Sequence, residues 1–222
     1  MTVVDGAGVA EEGSWRPRLY GVLGRSLEAG FLGSPTIGDH IDHACGFAAA
    51  VLSERRAVPE TLVDLGSGGG VPALVLAELW PATKVAMVEA NERRSRFLEA
   101  EVLDSDRGRV TVLPYRAEVV GRDARYRQAF EVVTSRSFGS PGVTAECAAP
   151  LLAVGGLLVV SDPPGVPVEQ RWPLAPLDLL GLALLHRFRY QDRYNYACLE
   201  KTSDCPSRYP RRVGIPAKRP LF

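Results

Sequence analysis

The chain carries no excess charge of either sign: 26 basic and 26 acidic residues among 222 leave a formal net charge of zero. That excludes a general polyanion binder, so any contact with nucleic acid must come from a local patch. Cysteine is scarce. The four residues present (Cys45, Cys147, Cys198 and Cys205) include no CxxC pair, and a chain of this length needs no disulfide staples. They read as reduced, mostly buried thiols. There are only three His residues, none at a ligand spacing with the cysteines, so no metal site is expected. Long apolar runs are also missing. The longest, Ala148–Val160, spans 13 residues and is broken by Pro150, Gly155 and Gly156, which is too little to cross a bilayer. Met1–Gly13 is small and acidic, without the basic-then-apolar order of a secretory leader. The expectation is a cytoplasmic protein with no membrane contact. No internal repeat or low-complexity block is present.

The composition is otherwise that of a globular protein, 46% hydrophobic and 23% charged, with enough apolar material for a sizeable core. Of the basic residues, 23 are Arg. Arg suits phosphate and base contacts, but GC-rich coding DNA produces the same bias. Three parts are expected: a tail and helical extension over 1–58, a main domain over 59–205 and a basic tail over 206–222. Residues 1–14 read as a loose tail. From Trp15 to Val58 two helical stripes follow, Leu19, Leu23 and Leu27, then Ile41, Ala44, Phe47, Ala48 and Val51.

After Pro59 short apolar runs alternate with helical ones. Strands are expected at Thr61–Leu65, Lys84–Val88, Val110–Leu113, Phe130–Thr134 and Leu157–Val160, with helices at Val71–Leu79, Glu92–Leu103 and Val143–Leu152. Gly181–Phe188 and Tyr194–Lys201 could form an antiparallel pair. Such alternation specifies an α/β fold, a parallel sheet covered by helices on both faces.

The sharpest signal is Val63-Asp64-Leu65-Gly66-Ser67-Gly68-Gly69-Gly70-Val71-Pro72, which leaves a strand and opens a helix. Gly66 and Gly68 permit a tight turn and let a ligand lie against bare backbone. Glu89 ends the next strand, where doubly wound sheets place an acid on ribose hydroxyls. A dinucleotide fingerprint would require glycine at position 71, where Val71 stands. Glycines at 66, 68 and 70 instead match the loop that binds S-adenosylmethionine (AdoMet), with Asp64 placed to meet loop amides or the methionine ammonium. The third strand leads into Tyr115-Arg116-Ala117-Glu118, where this fold contacts adenine; Glu118 could equally cap the following helix.

Four stretches in this order resemble the RsmG-type, or glucose-inhibited division protein B, methyltransferases of small-subunit ribosomal RNA. They are VDLGSGGGVPALVLAELWP (63–81), VEANERRSRFLEAEV (88–102), RAE (116–118) with VVTSRSF (132–138), and RYPRRVGIPAKRPL (208–221). The resemblance implies a Rossmann-like class I fold with a mostly parallel seven-stranded sheet and added N-terminal helices. It implies AdoMet as cofactor and guanine N7 of 16S RNA, free or in the 30S particle, as acceptor; a monomer is expected, though no sequence feature fixes the oligomeric state. By the same resemblance Gly66, Val71, Ala117, Glu118 and Arg136 contact AdoMet or its pocket, and Glu89 takes the ribose. Methyl transfer to guanine N7 needs no general base, because that nitrogen has a free lone pair and no proton; no catalytic acid–base pair or Cys nucleophile stands out. Two other activities stay open: methylation of a small metabolite, favoured by the zero net charge, and RNA binding without catalysis.

Several further residues carry two readings. Arg136, at the end of the fourth strand, could reach a substrate or pair with a surface acid. Arg93, Arg94 and Arg96 could be a solvated helix face. Arg208, Arg211, Arg212, Lys218 and Arg219, free of acids and interleaved with Tyr209 and prolines, form a candidate RNA contact or an ordinary basic terminus. Asp162-Pro163-Pro164 reads as a proline-fixed turn. His43 and His186, among apolar neighbours, read as core histidines.

Overall fold

The computed structural model describes residues 16–33, 36–102, 106 and 108–222; the expected loose tail at 1–14 lies outside them. Two helices open the described chain, α1 (Arg16–Glu28) and α2 (Ile37–Arg55). There follow β1 (Thr61–Leu65), α3 (Ala73–Leu79), β2 (Lys84–Val88), α4 (Glu92–Glu101), β3 (Val110–Leu113), α5 (Ala117–Val120), β4 (Phe130–Ser135) and α6 (Pro141–Ala148). The last part contains β5 (Leu152–Ser161), α7 (Val168–Arg171), α8 (Leu174–Asp178), β6 (Leu182–Tyr190), β7 (Tyr194–Lys201) and α9 (Ile215–Lys218).

One seven-stranded sheet runs β3-β2-β1-β4-β5-β7-β6. The first five strands are mutually parallel, and β7 pairs antiparallel with both β5 and β6. Chain direction through the sheet reverses between β1 and β4, so a crevice opens at their carboxyl ends, the place where open α/β sheets bind ligands.

Period-two alternation sends neighbouring strand residues to opposite faces. Leu62, Met87, Val132 and Val159 join α1, α2 and α3 in one core, with Leu19, Leu23, Phe47 and Trp80 fully buried there. Val63, Leu65, Val133 and Leu158 join α5 and α6 in the other, together with Trp172, Cys205 and Tyr209. Both stripes expected from Trp15 to Val58 therefore face the sheet, although Leu27 is only half-buried. Among the described residues no helix is long and apolar enough to cross a membrane.

The boundaries around Leu152 differ most from the sequence expectation. The helix expected to reach Leu152 ends at Ala148, and β5 begins at Leu152 rather than after the Gly155-Gly156 pair. Gly155 takes φ +80° and the β4–β5 register slips between Phe130 and Val132. A bulge with glycine in the left-handed region lets the strand continue through residues that looked like a break. His186 is not a core residue: it is exposed, with Nε2 2.8 Å from Glu54 Oε1, just past the point where the β6–β7 register slips between Leu184 and His186.

α2 and β7 hold each other tightly. Tyr196, fully buried, donates from its hydroxyl to the His43 carbonyl at 2.6 Å, and a Cβ built on Gly46 would stand 2.1 Å from that hydroxyl. Gly46→Ala therefore drives ring and helix apart. Overpacking of this kind costs roughly 1–3 kcal/mol, and thermal unfolding of the variant is expected about 3–10 °C below wild type.

Candidate active site

The glycine turn is built by the sheet and locked by one carboxylate. The amides of Gly66 and Ser67 both donate to the Val88 carbonyl, at 2.8 and 3.1 Å, which pulls the loop over the end of β2. Gly66, Gly68 and Gly70 have φ of +71°, +55° and +97°, a region that L side chains enter only at a cost. Glu89, buried at the end of β2, accepts from the Gly68 amide at 2.9 Å and from the Asn91 amide at 2.7 Å. A carboxylate offers about four lone-pair positions, so capacity for a further donor remains.

A cavity of ≈ 220 Å³ lies on this loop, bordered by Gly66, Gly68, Val71, Arg94, Arg136 and the α1–α2 connection at Phe31, Leu32 and Gly33. A Cβ on Gly68 would meet only the Gly66 carbonyl, at 3.7 Å, so bare backbone faces open space there. Elsewhere the hollow is narrowed: the Phe138 ring crowds Gly66 and the Leu32 side chain crowds Gly69. Pockets that enclose a whole small ligand hold about 300–1,000 Å³, so seating one requires Leu32 and Phe138 to withdraw.

Behind the loop lie two opposite charges with unused atoms. Asp64 Oδ1 accepts from Thr134 Oγ1 at 2.8 Å, while Oδ2 is buried without a partner. Arg136 Nη2 donates to His40 Nδ1 at 2.8 Å, while Nη1 is buried without a partner. His40 in turn reaches the Gly33 carbonyl through Nε2 at 3.3 Å, so Arg136 is braced from α2 and is not spent on a surface acid. These groups fit AdoMet: a diol for Glu89, an ammonium for Asp64, a carboxylate for Arg136. Of the residues picked out in the sequence, Gly66, Gly68, Val71 and Arg136 border the cavity; Glu89 meets the loop through the Gly68 amide, Asp64 through Thr134 of β4, and Gly70 packs against Leu74.

Ala117 and Glu118 do not border that cavity. Glu118 is buried and accepts from the Gly214 amide at 2.9 Å, tying α5 to the C-terminal segment. That segment is docked rather than loose. Arg211 lies with its guanidinium against Glu146 of α6, at 2.6 Å from Nη2 to Oε2, and Glu146 is fully buried. Arg211 is therefore withdrawn from the candidate RNA contact, because a buried carboxylate without its partner would be costly. Arg208, Arg212, Lys218 and Arg219 remain exposed. On α4, Arg96 pairs with Glu92 in solvent, Arg93 lies over the Phe31 ring at 5.6 Å, and Arg94 borders the loop cavity.

A second, larger cavity of ≈ 430 Å³ opens at the ends of β4 and β5. Ser137 borders both cavities and takes a left-handed φ of +56°, strain of a sort that concentrates at functional sites. His43 lines the larger cavity; burial pushes its pKa down to about 4, so the ring is neutral at physiological pH. Its Nε2 lies 3.1 Å from Ser161 Oγ. Sequence reasoning assigned His43 to the core and passed over Ser135, Ser137, Tyr194 and Asn195; only the particular Ser-Arg-Ser run of 135–137 could have pointed there. Asp162 is the foot of this wall, buried and accepting from Arg171 Nε at 2.8 Å and Arg187 Nη2 at 2.5 Å, which makes the Asp-Pro-Pro stretch an anchored turn as expected.

Burial raises the pKa of Asp64 from the usual 3.8 to about 6, opposed by its hydrogen bonds and by Arg136. The native state therefore binds this proton more tightly than the unfolded chain, so stability is lost as pH climbs from about 4 to 6 and stays lost above. A shift from 3.8 to about 6 corresponds to roughly 3 kcal/mol. Asp64→Asn keeps an acceptor for Thr134 without the charge. In urea unfolding its stability is expected to equal wild type near pH 4 and to exceed it by about 2–3 kcal/mol at pH 7.5.

Comparison with known proteins fits this geometry. A model of the family described as GidB, rRNA small subunit methyltransferase G, matches residues 41–161. The chain is 34% identical over 179 residues to a Carboxydothermus hydrogenoformans protein named ribosomal RNA small subunit methyltransferase G, covering 78% of this chain and 76% of that one. A Rubrobacter xylanophilus protein of the same name is 32% identical over 190 residues, covering 82% and 72%. In fold the chain is similar to the cofactor-bound Rv0187 from MTB, with a TM-score of 0.56 at 15% identity, covering 85% of this chain and 91% of that chain. A candidate O-methyltransferase of Klebsiella pneumoniae gives 0.57 at 13% identity, covering 84% and 90%. The glycine turn, Glu89 and Arg136 all fall inside the matched span, and the chain belongs to the rRNA small subunit methyltransferase G family.

Proposed function

We propose that this protein transfers the methyl group of AdoMet to guanine N7 of 16S ribosomal RNA. The observation that carries the reading is the hollow on the glycine loop, where Glu89 holds the Gly68 amide and where Asp64 and Arg136 keep unpaired atoms, in a chain whose relatives are named ribosomal RNA small subunit methyltransferase G. When bound, the cofactor supplies an electrophilic methyl carbon on a sulfonium.

The chain's own residues have three tasks. Glu89, Asp64 and Arg136 supply acceptors and a donor for the ribose, the ammonium and the carboxylate. Leu32 and Phe138, which crowd the loop, withdraw to admit the cofactor and then flank it with apolar surface. Ser137, shared by both cavities, sets the wall across which the acceptor nitrogen and methyl group must face each other. Alignment of this kind supplies much of the barrier lowering in displacement reactions. A proton acceptor is not required, because N7 is already a free lone pair. The exposed Arg208, Arg212, Lys218 and Arg219 offer contacts to RNA phosphates, an interaction that weakens steeply with salt.

Radiolabelled AdoMet incubated with 30S particles and with naked 16S transcript is expected to label one guanine, mapped by its borohydride-sensitive N7-methyl product. Transfer to neither, with AdoMet binding confirmed by calorimetry, overturns the RNA assignment. Gly68→Val places a branched side chain in the open space above the loop. Its AdoMet affinity is expected to fall by more than tenfold while far-UV circular dichroism stays that of wild type.

A further inference from the structure

The larger cavity is separate from the hollow that fits the methyl donor and touches it at Ser137. Its ≈ 430 Å³ is within the range that encloses a ring system with its sugar. Flat surfaces line one side: His43 stacks on Tyr194 with ring centroids 4.9 Å apart and planes at 19°, and Phe138 also borders the space. The imidazole is neutral, so it offers a stacking face without charge. Polar groups lie among these faces, and two of them are unmatched. Ser135, 1% exposed at the end of β4, has a hydroxyl with no hydrogen-bond partner. The Asn195 amide, at the start of β7, makes no hydrogen bond to any described residue, although its backbone carbonyl accepts from Asp162.

A buried hydroxyl without a partner costs roughly 1–3 kcal/mol, and such atoms in a native fold call for a missing partner. The lining is mixed, with aromatic faces at Phe138, Trp172 and Tyr194 beside polar groups that include Asp162, Arg171 and Arg193, and a concavity that combines flat faces with convergent polar groups is the form of a ligand site. The acceptor nitrogen of a base in an A-form helix lies in a deep, narrow groove that side chains do not enter. Enzymes that modify such a base bring it out of the stack into a pocket.

We propose that this cavity receives the everted acceptor purine, its ring against Phe138 and the His43–Tyr194 pair and its polar edge on Ser135 and Asn195. This rests on the methyl-transfer reading for the chemistry, but not for the binding of a purine. The cavity is then the specificity site, and Ser135 and Asn195 are base-contacting residues; stacking of a single base on aromatic side chains adds about 1–3 kcal/mol.

The test uses the full chain loaded with S-adenosylhomocysteine. Guanosine 5′-monophosphate is titrated by saturation-transfer NMR, and in parallel the KM and kcat for 16S transcript and the AdoMet affinity are measured for wild type, Asn195→Ala and Ser135→Ala. Each variant is expected to raise the KM for RNA at least tenfold and to weaken the mononucleotide by a similar factor with AdoMet affinity unchanged, while the thermal midpoint stays put in Asn195→Ala and rises in Ser135→Ala, which removes an unpartnered buried hydroxyl. Nucleotide binding sensitive to Asn195→Ala in a protein that methylates no RNA would uphold the cavity while ending the RNA reading. Wild-type KM and nucleotide affinity in both variants would overturn the proposal, as would wild-type protein that binds no nucleotide and variants that leave KM unchanged. If Ser135→Ala fails to fold, Asn195→Ala and Asn195→Asp decide alone, since Asn195 is only half-buried.

Discussion

The carboxylate of Glu89 fixes the middle of the glycine turn to the end of β2, where the Val88 carbonyl already holds the turn's first two amides. One oxygen holds the Gly68 amide in the middle of the glycine turn, and the other holds the Asn91 amide at the start of α4. Without it the Gly68 amide would lose its anchor, while the amides of Gly66, Ser67 and Gly70 and the Gly69 carbonyl keep theirs, and the backbone at Gly68 would have several states of similar energy. The acid thereby converts a permissive segment into a shaped one. It does so at the end of β2, so the whole parallel half of the sheet sets its position. Since charge-assisted hydrogen bonds are stronger than neutral ones, this is a firm clamp for a small loop.

The same device recurs farther along. Glu118, Glu146 and Asp162 are all buried, and each is matched to partners distant in sequence: the Gly214 amide, Arg211, and Arg171 with Arg187. Three acids thus fix the C-terminal segment and the wall of the larger cavity. Phe222 completes the arrangement by meeting the Trp172 ring edge-on at 6.4 Å. Basic residues that composition assigns to an external polyanion are in part internal counter-charges, and which of them are free depends on where buried acids lie.

Five parallel strands, the antiparallel pair and the loop after β1 were legible because each is written locally: apolar runs, glycines and an acid at a fixed interval. The short helices between 161 and 182 were not, since a single turn carries too few residues for periodicity. β5 was half legible; Gly155 imitates a terminator and acts as a bulge. The site divided in the same way. Glu89 and Arg136 could be named from strand ends, whereas the use of Glu118 by the Gly214 amide and of Arg211 by Glu146 depends on contacts across 96 and 65 positions. Tyr194 and Asn195 enter the cavity because β7 inserts between β5 and β6, an order that no local pattern encodes.

That insertion bears on how the chain is made. The hydroxyl of Tyr196 reaches back 153 positions to the turn of α2 beside Gly46, and β6 has no place on the sheet until β7 lies beside β5. The early helices can cover much of their apolar faces with β1, α3 and β2, but the seam between α2 and β7 closes only when almost the entire polypeptide is present. Pairing at such a distance slows folding and lengthens exposure to aggregation.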